Sequence, residues 1–459
     1  MSEAKESTIG KDFTLPQLFR FVAPPVFTRL MVSLLQTLDD SLFVSRYVGQ
    51  NALAAFSIAM PWFMLIDAFG MMASAVSVVC SIKMGEKKIE EAKSDFTTMI
   101  LLTLCIGTCF SLTMHFFMKP ILLMLGATEL LMPYAVEYMS VSKFYTPLIL
   151  ASYIFGSFYV IAGKPKCSMY ASAINTACQF FFDWLFIAKL KIGIVGAAYA
   201  NLIGNIAITV FAVIFYSNKK HEIHFVKPQS EIWPLVKSVF KYGRMQALTS
   251  LAVSLSSYIN NHVHLGIGGE EVVAAYTIVS GVFFMFMNSF FGLIGSTSPL
   301  ASYALGEKNP KKLIRVIKQT LVLLTCLGTL IVCLIIGGRS LILKLYLTET
   351  SSQTVKALTE RGLKIYPLSM IFFGYNVYIQ DLLNVLGEHK VSMFLSVMEN
   401  IIIQNIMVIL LPRLFGIEAI WFVFIVTEAI TFLFTLYFVY HYRDVYGYGK
   451  DGIATFIDR

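Results

Sequence analysis

Two aspartates could do chemistry, because each lies inside an otherwise apolar stretch. Asp40 belongs to "LLQTLDDSLFVSRYVG" and Asp183 to "QFFFDWLF". A charged carboxylate inside a membrane costs roughly 2.5–3.5 kcal/mol on insertion scales, so it is rarely kept without a function. Desolvation and a neighbouring carboxylate both favour the protonated form. The pair could therefore bind and release a proton, or exchange a proton for Na⁺. The alternative is that both acids are hydrogen-bonded structural groups.

Two amides accompany the acids. Gln179 precedes Asp183 by four residues, which places both on one helical face, and Asn201 lies in the next apolar segment. Counted from the outer ends of their segments, these residues and Asp40 share a depth of roughly 10 Å at 1.5 Å per residue. We therefore predict one coupling-ion site formed by Asp40, Asp183, Gln179 and Asn201. The two aspartates would be the metal ligands if the ion is Na⁺.

The surrounding chain is a polytopic helical membrane protein by composition. Of its 459 residues, 57% are hydrophobic and 14% are charged, whereas soluble proteins have about 25% charged residues. A helix that crosses a bilayer needs about 20 residues. Twelve apolar segments satisfy this: residues 16–47, 52–83, 96–118, 134–161, 168–189, 194–216, 239–266, 272–303, 316–337, 361–386, 391–411 and 417–441. They are called helices 1 to 12 below.

Basic residues predict the orientation. Loops such as "KMGEKKIEEAKSD", "SNKKHEIHFVKPQ" and "GEKNPKK" are richer in Lys and Arg than the loops that alternate with them. The positive-inside rule makes these loops cytoplasmic, and both termini with them. The net charge of +8 is explained by this bias and requires no nucleic-acid partner. The expected partners are the lipid bilayer and small organic molecules.

The two halves of the chain repeat one another. "AAFSI" at 54–58 returns as "AAYTI" at 274–278, and "GKPKCSMY" at 163–170 returns as "GEHKVSMF" at 387–394. Six helices return the chain to its starting side, so the halves have parallel topology. The predicted fold is an all-α membrane protein with two six-helix lobes related by a pseudo-twofold axis along the membrane normal. We assign residues 1–222 to the first lobe, 223–445 to the second, and 446–459 to a cytoplasmic tail.

The acids do not follow the repeat. An offset of 220 residues maps Asp40 onto Asn260 in helix 7, and Asp183 maps onto Ile406 or Met407. The architecture therefore recurs in the second half while these carboxylates do not. This favours ion coupling in the first lobe.

These motifs resemble those of a known family. "LDDSLFVSRYVGQNALAAFSI", "GKPKCSMYASAINTACQFFFDWLFI" and "GIVGAAYANLIGN" are similar to signature regions of the multidrug and toxic compound extrusion (MATE) family, in its prokaryotic form. "VVAAYTI", "YALGEKN" and "VLGEHKVSMFLSV" resemble the counterparts in the second half. The resemblance implies efflux of hydrophobic or cationic organic compounds in exchange for H⁺ or Na⁺. It implies no cofactor, and a monomer in the prokaryotic inner membrane.

The resemblance also bears on the predicted site. Many family members have an acid on helix 1, an Asn and an Asp four residues apart on helix 5, and a Thr on helix 6. Asp40 and Asp183 match the acids, whereas Gln179 stands in place of the Asn and Asn201 in place of the Thr. A longer amide and a missing hydroxyl would change cation coordination, so the choice between H⁺ and Na⁺ stays open.

Three further residues are candidates for the substrate cavity or its gate. Arg29 precedes Asp40 by eleven residues, close to three helical turns, and its alternative role is a structural ion pair. Asn260 is the repeat counterpart of Asp40, and Glu428 lies in the middle of helix 12.

Other functions remain as alternatives. A lipid-linked oligosaccharide flippase of the related superfamily would be expected to have more helices and a strongly basic cavity. An intramembrane enzyme could use the aspartate pair, but no nucleophile or metal-ligand cluster accompanies it. A channel would be expected to repeat a filter-like loop. No phosphate-binding GxxxxGK[ST] motif is present, so the chain is not expected to use ATP by itself.

Overall fold

A computed structural model describes residues 11–38, 44–347 and 352–443. Asp40 lies outside these residues, as does the predicted tail. The described residues form helices joined mostly by short turns, with a longer connection at residues 218–231, and no β-strand occurs among them. The chain divides into two compact units, the first comprising Phe21–Ala247 and the second comprising Asp12–Arg20 with the chain from Leu248 onwards. The lobe boundary at residues 222 and 223 stays a prediction.

The helices of the first unit follow the apolar segments closely. Helix 1 is Leu15–Leu38, helix 2 runs as Gln50–Ser74 and Val76–Gly85, helix 3 is Ile89–Met124, helix 4 is Met132–Ile161, helix 5 is Pro165–Asp183 followed by the π-helical turn Trp184–Lys189, and helix 6 is Val195–Ser217. A further π-helical turn, Val44–Val48, precedes helix 2. Helix 3 bends at Phe117 (φ −115°, ψ 24°). Pro120 follows within one turn, and its missing N–H and bulky ring account for the bend.

The helices of the second unit are more interrupted. Helices 7 and 8 fall within one helical element, Ile232–Gly306, and helix 9 is Pro310–Tyr346. Helix 10 consists of Gln353–Ile365, the 3₁₀ turn Tyr366–Ser369 and Met370–Val385. Helix 11 consists of His389–Val397, the π-helical turn Met398–Ile403 and Gln404–Phe415, whereas helix 12 consists of the 3₁₀ turn Ile417–Phe422 and Val423–His441. Helix 9 starts sharply because Pro310 occupies its first turn and the Asn309 side chain accepts the Lys312 backbone N–H at 3.1 Å.

Eight helical stretches among the described residues are long and apolar enough to cross a membrane by length and composition. They belong to helices 2, 3, 4, 6, 8, 9, 11 and 12. Helices 1, 5, 7 and 10 are not among these stretches, and helix 1 is described only as far as Leu38. These spans make the chain a multi-pass membrane protein.

The internal repeat extends to backbone conformation. Gly163 and Gly387, at equivalent positions of "GKPK" and "GEHK", have φ of 68° and 94°. Gly193 and Gly416, which open "GIVGA" and "GIEAI", have φ of 81° and 80°. Positive φ is readily adopted only by glycine, so each pair marks the same turn made twice. The repeated motifs therefore serve as equivalent turns before helices 5 and 11 and before helices 6 and 12.

Candidate functional site

Helix 5 places Asp183 and Gln179 on one face. Both lie in the α-helix Pro165–Asp183, four residues apart, and the Asp183 side chain is fully buried. The helix continues as the π-helical turn Trp184–Lys189, in which Leu190 donates to the Leu185 carbonyl at 2.9 Å. Such wider turns change the rotation of the residues beside them and are frequent at functional sites. Asp183 is thus the last α-helical residue before a change of helical pitch.

Helix 6 brings Asn201 to Gln179. The Gln179 side-chain amide donates to Asn201 Oδ1. Asn201 Nδ2 in turn donates to the Ala197 carbonyl at 3.0 Å, which fixes the rotamer that presents the Asn201 oxygen to helix 5. Asn175 completes the chain of amides by donating to Gln179 Oε1 at 3.5 Å. The structure therefore joins helices 5 and 6 through side-chain amides about one helical turn from Asp183.

A glycine makes this contact possible. A Cβ atom added to Gly204 on helix 6 would lie 2.6 Å from Asn175 Oδ1 and 3.0 Å from Gln179 Cγ. These distances are shorter than van der Waals contact, so only glycine lets the two helices approach this closely. Helix 6 is also fastened to helix 4, since the Tyr216 hydroxyl donates to the Phe155 carbonyl at 2.8 Å.

The structure brings Gln179 and Asn201 of the predicted site into contact and leaves Asp183 on the same face of helix 5. Asp40 is not among the described residues, so the pairing of the two aspartates stays a prediction. The side chains that are placed offer carboxylate and amide oxygens, which are suitable ligands for hard cations. In the described part of the chain, no group of three or more His, Cys, Asp and Glu residues could hold a metal ion.

The candidates for the substrate cavity have different environments. Arg29 is exposed on helix 1 of the first unit and lies close enough to Tyr153 for the two groups to interact electrostatically. Asn260 is buried and donates to the Ser256 carbonyl at 2.7 Å, within its own helix. Glu428 is fully buried in the second unit. A role for these residues in binding substrate stays a prediction.

Asp67, an acid in helix 2, was not predicted from the sequence as a candidate residue. Asp67 accepts a hydrogen bond from the Tyr153 hydroxyl of helix 4 at 2.9 Å. Gly70, one turn further along helix 2, makes room for the tyrosine ring, because an added Cβ would lie 2.4 Å from Tyr153 Cδ2. An isolated aspartate inside "MLIDAFG", with a glycine three residues later, is the signal that could have indicated this contact.

A second buried polar cluster in the second unit was also missed. It joins helices 10, 11 and 12 through Asn376, Gln380, Glu399 and Glu428. The sequence places Glu399 in helix 11 and Glu428 in helix 12 but gives a candidate role to Glu428 alone, because the cluster members are far apart in sequence and carry no motif.

Comparisons with known proteins agree with the repeat and the helical fold. A family model described as MatE matches residues 24–185 and 246–410, one stretch in each half of the chain. The chain is 24% identical to "Probable multidrug resistance protein YoeA" of Bacillus subtilis (strain 168) over 392 residues, which cover 82% of each protein. It is 21% identical to "Multidrug export protein MepA" of Staphylococcus haemolyticus over 445 residues, covering 96% of this chain and 95% of the relative.

Solved structures share the same architecture. A MOP superfamily transporter from Pyrococcus furiosus, described with a binding pocket of reverse polarity that suggests a different function, has a TM-score of 0.88 at 19% identity. The match covers 97% of this chain and 99% of that one. The outward-facing conformation of a multidrug resistance MATE family transporter has a TM-score of 0.87 at 20% identity, covering 96% and 99%. These likenesses confirm the predicted fold class of twelve transmembrane helices in two six-helix lobes.

Proposed function

Because the chain belongs to the MatE family, the multidrug and toxic compound extrusion transporters, we propose that it is a secondary active multidrug efflux antiporter. It exports hydrophobic or cationic organic compounds in exchange for H⁺ or Na⁺, by alternating access of its two lobes. The names of the relatives, a multidrug resistance protein and a multidrug export protein, support multidrug efflux. The chain works as a monomer without a cofactor, in the inner membrane, with both termini in the cytoplasm.

The observation that carries the coupling mechanism is the buried arrangement at helices 5 and 6. Asp183 is excluded from solvent one turn from the Gln179–Asn201 contact. A carboxyl group in a membrane interior is costly when charged, so binding of H⁺ or Na⁺ there changes the stability of the surrounding helices. We assign this coupling role to Asp40, Asp183, Gln179 and Asn201. Entry of the ion supplies the free energy that drives export.

Transport by purified protein in proteoliposomes tests this function. Ethidium serves as the transported cation, and pH and Na⁺ gradients are imposed separately. We expect one of the two gradients to drive ethidium movement in the wild type. The variants Asp40→Asn and Asp183→Asn should each abolish gradient-driven transport while eluting as folded protein on size-exclusion chromatography.

Glu129→Gln is the matched control, because it neutralises an exposed acid in the turn between helices 3 and 4. It should transport like the wild type. Full gradient-driven transport by both aspartate variants would refute coupling at this site. Movement of ethidium by the wild type without any gradient dependence would refute the antiport itself.

A further inference from the structure

The second unit contains two carboxyl groups that the proposed coupling site does not use. Glu399, in the π-helical turn of helix 11, is 4% exposed, and Glu428 of helix 12 is 0% exposed. The two side chains lie close enough to interact electrostatically. In the part of the chain that the structure describes, neither has a Lys, Arg or His partner in a salt bridge.

Helix 10 supplies hydrogen-bond donors to both carboxyl groups. Asn376 Nδ2 donates to Glu428 Oε2 at 2.8 Å and to the Glu428 carbonyl at 2.9 Å. Gln380, one turn later on the same helix, donates to Glu399 Oε2 at 2.6 Å. A backbone carbonyl can only accept, so the orientation of the Asn376 amide is determined by its surroundings.

This orientation favours a proton over a metal ion. The Asn376 oxygen faces away from Glu428 and accepts from the Thr435 hydroxyl at 3.2 Å. The carboxyl groups therefore meet N–H donors where a sodium ion would need oxygen ligands. Hard cations are held by several oxygens, and amide N–H groups repel them. The N–H donors stabilise an ionised carboxyl group and exclude a metal ion, so the preference for a protonated acid rests on burial and on the two acids sharing one site.

One carboxyl oxygen has been left without a partner. Glu428 Oε1 is buried and makes no hydrogen bond within the described residues, and the same is true of the Thr431 hydroxyl. Thr431 lies between Glu428 and Thr435 at helical spacing, and Asn376 contacts both of those residues. Thr431 therefore faces helix 10 on the same side of helix 12 as Glu428. A proton on Oε1 would turn this unsatisfied acceptor into a donor.

Two ionised carboxylates would not be stable together at this position. Each would cost several kcal/mol in a membrane interior, and their mutual repulsion would add to this cost. Like charges that share a site cannot both ionise readily, so such a pair retains a proton. The geometry thus supports at least one protonated acid in the pair.

Several other titratable groups lie on or around helix 12. Tyr366, from the 3₁₀ turn of helix 10, lies near Glu428 and contacts Tyr276. Of the remaining groups on helix 12 and the elements that pack against it, Asp381 is hydrogen-bonded to Ser298, the Tyr375 hydroxyl to that of Thr325, and His389 to Asn384. Tyr378 is buried on helix 10, Tyr437 and Tyr440 are exposed, and Glu388, Lys390, Arg413, Glu418 and His441 lie at helix ends.

The repeat shows that the fold does not require these acids. The offset of 224 residues between "GKPK" and "GEHK" maps Glu399 onto Asn175. The offset of 223 between "GIVGA" and "GIEAI" maps Glu428 onto Asn205. The first unit thus has neutral amides at both positions and still packs helices 5 and 6 together. A structural role alone would be met by amides, so the acids provide something else.

We propose that Glu399 and Glu428 form a proton-binding pair in the second unit, which gives up and regains its proton during the transport cycle. This proposal rests on the proposed antiport function and adds a second ion-binding step to it. With a proton on each acid, the pair is neutral and matches its apolar surroundings. After it releases one proton, the pair holds the other and carries a single negative charge between helices 10, 11 and 12, which weakens their packing.

Infrared difference spectroscopy of the purified full-length protein tests the proton directly. We expect the wild type at neutral pH to show the carbonyl stretch of a buried protonated carboxylic acid, and this band to change when ethidium is added. Glu428→Gln and Glu399→Gln should each remove or shift the band. Glu418→Gln, which alters an exposed acid in the 3₁₀ turn of helix 12, is the matched control and should retain the band.

Transport measurements then distinguish a proton that is released and rebound during the transport cycle from one that stays bound to the pair. In proteoliposomes with a pH gradient, the two Gln variants should lose at least tenfold in gradient-driven transport of ethidium. If a Gln variant does not fold, Glu399→Asn and Glu428→Asn introduce the side chains that the first unit has at the equivalent positions. A band that is insensitive to both substitutions, or that responds to Na⁺ and not to pH, would overturn the proposal.

The two proposals fail in distinguishable ways. If wild-type protein does not move ethidium under any gradient, the antiport function is wrong, while the infrared band still reports on the pair. If transport depends on Asp183 but both Glu variants transport like the wild type, the antiport function stands and the exchangeable pair is refuted.

Discussion

Gln179 of helix 5 donates its side-chain amide to Asn201 of helix 6, and Asn201 is held in place by its own bond to the Ala197 carbonyl. The contact is partly buried and lies one helical turn from Asp183. An amide pair of this kind makes the stability of each helix depend on the other, because losing either partner leaves the remaining polar group without its hydrogen bond. The first prediction concerns this dependence.

The variants Gln179→Leu and Asn201→Leu should each lower the free energy of unfolding by about 1–3 kcal/mol, because the remaining amide loses its partner. The double variant should cost less than the two single variants together, with an interaction of about 0.5–3 kcal/mol. Thermal unfolding in detergent micelles measures these differences. Thr113→Val, which alters an exposed hydroxyl bonded to its own helix, is the control. Simple additivity of the two substitutions would contradict the contact.

Gly204 gives the second prediction. In Gly204→Ala the added methyl would collide with Asn175 Oδ1 at 2.6 Å and Gln179 Cγ at 3.0 Å. Overpacking of this kind costs about 1–3 kcal/mol, and here it also pushes apart the helices that hold Asp183. We expect a lower melting temperature and impaired ethidium transport.

The matched control for this substitution is Gly156→Ala in helix 4. No atom lies within 4 Å of a Cβ added there. The alanine should therefore be neutral or stabilise the helix by about 0.5–1 kcal/mol. Equal behaviour of the two glycine variants would show that helices 5 and 6 are not in close contact.

Helix positions and the repeat could be predicted from the sequence with good accuracy. Helix 4 was predicted at residues 134–161 and is Met132–Ile161, and the MatE model confirms the family resemblance. Apolar length alone determines such boundaries, because a bilayer requires about 20 residues for each crossing. The contact between Gln179 of helix 5 and Asn201 of helix 6 agrees with the equal membrane depth that the sequence assigns to them, while their role in ion coupling stays a prediction.

The clusters of the second unit could not be predicted in the same way. The contact between Gln380 and Glu399 depends on how helices 10 and 11 are rotated, and the π-helical turn Met398–Ile403 alters that rotation. The repeat offset maps Asp40 onto Asn260 of the second unit. The buried acids Glu399 and Glu428 instead occupy positions whose counterparts in the first unit are amides. The position of a residue within an apolar segment predicts its depth in the membrane but not the direction in which its side chain points.

The third prediction concerns Asp67 and Tyr153. Tyr153→Phe removes the hydroxyl that donates to Asp67 Oδ1 at 2.9 Å and leaves that acid with one hydrogen bond fewer. Loss of a donor to a partly buried carboxyl should lower the free energy of unfolding by about 1–3 kcal/mol. Tyr170→Phe, which alters a tyrosine that is 50% exposed, is the control and should change stability by less than about 0.5 kcal/mol. Equal melting temperatures for both variants would argue against the bond.

The fourth prediction concerns the ion pair at the start of helix 3. Lys83 Nζ lies 2.7 Å from Asp95 Oδ2 and 3.3 Å from Glu91 Oε2, and the Asp95 side chain is only 2% exposed. Lys83→Met leaves the buried aspartate without its cation and should lower the free energy of unfolding by about 3 kcal/mol. This is the lower end of the range for breaking a buried pair, because Lys83 itself remains 29% exposed.

A second substitution distinguishes loss of charge balance from loss of packing. Replacing both members, Lys83→Met with Asp95→Leu, removes the unpaired charge and should recover most of the lost stability. Lys88→Met is the control, since its pair with Glu86 is 53% and 41% exposed and such surface pairs contribute about 0–1 kcal/mol. Melting temperatures in detergent measure all three. If the double variant is less stable than Lys83→Met, the aspartate stabilises this end of helix 3 by contacts other than its lysine, and the prediction is wrong.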